Sequence, residues 1–101
     1  MMTFFDVEFY GQDIIKKDKE FKLRYTATIE VDDKIMGSEL SLSDTIDFFD
    51  SKAIKLLNDG YKEELRGYKI QWVHFDWLTD EGCYSQGTFV VWNAAKQKYE
   101  I

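Results

Sequence analysis

The sequence predicts an α+β fold: an antiparallel sheet of about five strands in β-β-β-α-β-β order, with one main helix packed on one face. Three observations predict it. Two-residue hydrophobic alternation fills the first and last thirds of the chain, helical spacing appears once between them, and turn chemistry separates the runs. At 101 residues without repeats or linker-like tracts, residues 1–101 read as a single domain.

Phe5, Val7 and Phe9 alternate with Asp6 and Glu8 and predict the first strand. The second is longer: Phe21, Leu23, Tyr25, Ala27, Ile29 and Val31 alternate with polar residues. Pairing Phe9 with Phe21, Val7 with Leu23 and Phe5 with Tyr25 places Glu8 opposite Lys22 and Asp6 opposite Arg24, a register that opposite charges favour. Gly11 to Glu20 is then a long connection. Asp32-Asp33-Lys34 is turn chemistry, and a third strand through Met36, Leu40 and Leu42 returns from it.

Ser43 is a helix N-cap candidate, and Ile46, Phe49, Ala53, Ile54 and Leu57 follow at helical spacing. Asn58-Asp59-Gly60 is the expected C-cap. Tyr68 to Leu78 forms a strand that is apolar on both faces: Tyr68, Ile70 and Trp72 on one, Val73, Phe75 and Trp77 on the other. Thr79 to Gly82 turns, and Cys83 to Trp92 returns, with Gly87 marking a bulge or a close approach. Asn93 to Ile101 is a polar tail that frays or adds a short edge strand.

Composition narrows the function classes. Nineteen acids against 13 bases give a net charge of −6, which argues against direct binding of a phosphate backbone. Acids break the apolar run of the N-terminus, so it does not read as a signal peptide. No stretch approaches the roughly 18 apolar residues of a membrane span. One cysteine, Cys83, excludes an intramolecular disulfide. A soluble, cytoplasmic protein without membrane contact is expected.

Catalytic chemistry is thin. Cys83 and His74 are the only candidates for a nucleophile and its base, and the hairpin keeps them several residues apart. His74 and Asp76 share a strand face and could both touch a metal, but a site needs three or four ligands and no third is suggested locally. No phosphate loop, dinucleotide fingerprint or nucleophile elbow is present. The expectation is a protein that is not an enzyme and carries no cofactor and no metal.

Two features remain once a core is filled. Seventeen aromatic residues exceed what one thin core needs, which leaves Trp72 and Trp77 as interface anchors. The acids gather at Glu30, Asp32, Asp33 and Glu39 near one end of the second strand, at Asp44 and Asp47 on the helix, and at Asp80 and Glu81 in the last turn. Such carboxylates would meet lysine and arginine on a partner protein. In this general profile the chain is similar to two groups of small inhibitors: phage and mobile-element anti-defence proteins such as anti-CRISPRs, and immunity proteins that neutralise bacterial toxins. The similarity is compositional and transfers no functional positions. It implies an inhibitor that blocks the nucleic-acid-binding cleft of a bacterial defence nuclease, for example a Cas effector. The alternatives are an immunity protein and a self-associating structural or regulatory module. A monomer and a homodimer both fit.

Overall fold

The computed structural model describes residues 2–32, 42–79 and 82–101, and the side chains of 5–30, 46–76 and 85–101. The fold is α+β, as the alternation predicts. Strands β1 (Met2–Asp13), β2 (Asp18–Asp32), β3 (Tyr68–Thr79) and β4 (Gly82–Phe89) form an antiparallel sheet in the order β2-β1-β3-β4. Helix α1 (Leu42–Lys55) packs on one face. Strands β5 (Val91–Asn93) and β6 (Lys98–Glu100) form a separate two-stranded hairpin. The expected third strand and its Asp33-Lys34 turn fall on residues 33–41, outside the described residues; Leu42 opens α1.

β1 and β2 pair as expected, but in a different register. Phe9 faces Tyr25, Val7 faces Ala27 and Phe5 faces Ile29. The shift is four residues along β2. Because that number is even, Tyr25 to Glu30 keep their predicted faces. The turn causes the shift. The strands run on to Asp13 and resume at Asp18, so the connection is Ile14 to Lys17 and not Gly11 to Glu20. The Asp13 carboxylate accepts from the Ile15 and Lys16 N–H groups at 3.1 and 3.0 Å, and Lys17 adopts φ 56° to close the turn.

Two bulges then decide which side chains meet the helix. In β2, Arg24 is the extra residue: Phe9 pairs with Tyr25 but Tyr10 with Leu23. Leu23 and Phe21 therefore turn away from the core, at 46% and 53% exposure, and Phe21 stacks on Tyr10 at 5.7 Å. In β3, Gln71 is the extra residue: Tyr10 pairs with Trp72 but Gly11 with Ile70. Ile70, Val73 and Phe75 are all fully buried as a result. The bulge thus resolves the strand that reads as apolar on both faces, bringing Ile70 to the core side and leaving Trp72 on the other. Gly11 fits here because a side chain would strike the Lys69 carbonyl.

Phe49 is the hub of the core. Its ring meets Phe5 at 5.2 Å and Phe75 at 5.3 Å, and Ala53 and Leu57 continue its buried stripe. The predicted C-cap is not used. The helix closes through a π-helical turn, Leu56–Gly60, with Tyr61 N–H donating to Leu56 O at 2.8 Å. The Asn58 side chain instead grips the backbone of β6: its amide donates to Tyr99 O at 3.1 Å and accepts from Tyr99 N at 2.8 Å. This contact orders the tail that the sequence left between fraying and an edge strand. β4 ends at Phe89 and the chain bends at buried Val90, whose N–H donates to Gln71 O at 3.0 Å.

Candidate interaction surface

The face of the sheet away from α1 carries the candidate surface. One row crosses all four strands: Leu23 on β2 pairs with Tyr10 on β1, Tyr10 with Trp72 on β3, and Trp72 with Phe89 on β4. Phe21 extends the row through its stack on Tyr10, and the Trp72 and Phe89 rings meet edge to face at 4.5 Å. Phe89 is 73% exposed. The Trp72 ring lies over Gly87, where a Cβ would come within 1.9 Å of Cζ2. Gly87 is therefore the close approach its sequence position indicated, and its missing side chain lets the indole lie along the sheet.

Beside this band lies a polar half. Glu8 pairs with Thr26 and His74, and His74 with Gly87. Asp6 faces Thr28, whose hydroxyl donates to Asp6 at 3.3 Å, and Asp76 faces Ser85. Ser85 Oγ donates to Asp76 Oδ1, and His74 Nε2 lies 3.2 Å from the same oxygen. The Ser85 hydrogen bond, aided by His74, holds the Asp76 carboxyl below its ordinary range. Tyr10 donates to Glu8 Oε2 at 3.2 Å; desolvation and the Glu8 charge push its phenol upward. The sequence had placed Lys22 and Arg24 opposite Glu8 and Asp6. The observed register removes both. Lys22 instead pairs with Glu20 at 2.7 Å, and Arg24 reaches Gly11 O, Asp18 and the Tyr68 ring. Among the described residues, no lysine or arginine occupies this stretch of the open face.

The structure separates the site residues expected from sequence. Glu30 is exposed and alternates onto the open face with Thr28 and Thr26. Trp72 lies half-buried at the centre of the apolar row. Asp47 is exposed on α1, across the sheet from both. Asp32 ends β2, Asp44 lies in the first turn of α1 and Trp77 pairs with Tyr84, but their side chains fall outside the described ones. Asp33, Glu39, Asp80 and Glu81 lie outside the described residues. Asp6, Glu8, Tyr10, Leu23, Asp76 and Phe89 join the surface without having been singled out as partner contacts. The signal for them was the pairing of β1 with β3, which no local pattern encodes.

Among the described side chains of this face, His74 does not hold a serine as a nucleophile. Ser85 donates to a carboxylate and not to His74, the reverse of what a serine–histidine pair requires. The Cys83 backbone pairs with Leu78, four residues along β3 from His74, or about 13 Å. No helix among the described residues is long and apolar enough to cross a membrane. No protein-family model, curated protein or solved structure matches the chain.

Proposed function

We propose that the chain is a stoichiometric, protein-binding inhibitor whose open sheet face occupies a basic, nucleic-acid-binding cleft on its partner, in the manner of an anti-defence protein acting on a bacterial nuclease. One observation carries this reading: an exposed aromatic band adjoins a carboxylate surface that no lysine or arginine among the described residues neutralises. Exposed aromatics supply anchoring area at interfaces. Carboxylates not offset by a neighbouring lysine or arginine attract a basic surface and speed its encounter. The charge of −6 disfavours nucleic acid itself as the ligand of the band.

The test is binding to purified RNA-guided nucleases across about 50 to about 500 mM salt, a range that spans strong to weak screening. Trp72→Ala with Phe89→Ala is expected to weaken binding at least about tenfold, the loss of one anchor. Asp6→Asn with Glu30→Gln is expected to flatten the salt dependence. Wild-type affinity in both variants contradicts the reading.

A further inference from the structure

We propose that Glu8, His74 and Asp76 bind one divalent transition-metal cation, zinc being the closest match to their chemistry. This does not rest on the inhibitor reading. Sequence offered two ligands on β3 and no third; the β1–β3 pairing supplies it by setting Glu8 opposite His74. One ligand atom from each residue lies within 4.8 Å of the other two. His74 Nε2 and Asp76 Oδ1 are 3.2 Å apart. Two ligands on one tetrahedral zinc, at its usual bond lengths, lie about 3.4 Å apart, so this pair is already spaced for an ion. A modest rotation of the flexible Glu8 side chain brings in the third.

The imidazole separates this set from an ordinary group of surface acids. A neutral histidine with its proton on Nδ1 presents the Nε2 lone pair to the carboxylates. Imidazole with two carboxylates suits zinc and its borderline neighbours better than magnesium or calcium, which prefer oxygen alone. The two carboxylates balance the charge of a divalent ion. Both are held from outside: Ser85 donates to Asp76 and Tyr10 to Glu8, the kind of support that orients metal ligands. All three come from paired neighbouring strands, so their backbones are fixed. Three protein ligands on an open sheet face leave a fourth position for water or for an incoming side chain.

The experiment is calorimetric titration of the full, untagged chain with zinc chloride, run alongside imidazole 1H–15N NMR. His74 is the chain's only histidine, so its ring signals report on one place. Saturable one-to-one binding is expected, with the ring signals moving at the same midpoint. His74→Ala is expected to abolish that binding, Ser85→Ala to weaken it about tenfold or more, and Cys83→Ser to leave it unchanged. The proposal is overturned if no saturable binding occurs, if the ring signals stay fixed at saturation, or if Cys83→Ser abolishes binding and His74→Ala does not. The ring signals of the wild-type chain decide the matter even if a variant fails to fold.

Discussion

The Tyr99 hydroxyl sits against β3, accepting from the buried Ile70 N–H at 3.1 Å and donating to Tyr68 O at 3.2 Å. Tyr99→Phe keeps the ring but leaves a buried N–H without its partner, a loss of about 1–3 kcal/mol. Chemical denaturation of the two proteins measures it, and equal midpoints would show that water replaces the hydroxyl. Asp50 presents the opposite situation. One carboxylate oxygen is buried and has no hydrogen-bond partner among the described residues, and burial, then the Asp47 charge, raises its pKa. A raised acid is penalised when ionised in the fold. That penalty is absent below the unfolded value near 3.9, grows as pH rises to the folded value, and stays constant above it. Asp50→Asn is therefore expected to be more stable than wild type at neutral pH, with the gain vanishing as pH falls toward about 4. Thermal melts across that range test it; a gain that persists below pH 4 would assign the effect elsewhere. Sequence shows neither environment, because one depends on a contact across 29 positions and the other on which way a helical side chain leans.

At the level of elements, alternation and helical spacing located β1, β2, α1, β3 and β4, because each buries one face or stripe. They could not locate the bulges. A bulge is one residue that fails to pair, and nothing in Leu23-Arg24-Tyr25 or Ile70-Gln71-Trp72 distinguishes it from a regular step. Charge pairing was a misleading guide to the β1–β2 register. It favoured salt bridges worth tenths of a kcal/mol each, whereas the turn at Asp13 and the burial of Ala27 and Ile29 against the core outweigh them. The Gln71 bulge has a direct consequence. Deleting Gln71 removes the extra residue, so plain alternation then carries Ile70, Val73 and Phe75 together onto the core face. What is lost is the Gln71 carbonyl that accepts from the buried Val90 N–H, about 1–3 kcal/mol if nothing replaces it. The deletion is therefore expected to fold with a modestly lowered melting temperature, as read by circular dichroism. A deletion variant that does not fold would show that the bulge does more than set the phase of Ile70 against Val73 and Phe75.

For the whole molecule, the acidity read from composition acquires a location. Asp6, Glu8 and Asp76 gather with Glu30 on the open face beside the aromatic band, while Asp47 lies on the helical layer. Sequence alone spread the interaction over both, since it cannot say which elements share a face. The claim that the open face is the working surface is tested most directly by capture from a bacterial lysate with three baits in parallel: wild type, Trp72→Ala with Phe89→Ala, and the helix-face control Asp47→Asn. The account predicts a basic protein retained by wild type and by the control, released as salt rises, and lost by the aromatic variant. A partner set that the aromatic variant retains in full, or the absence of any basic protein that it loses, would contradict it.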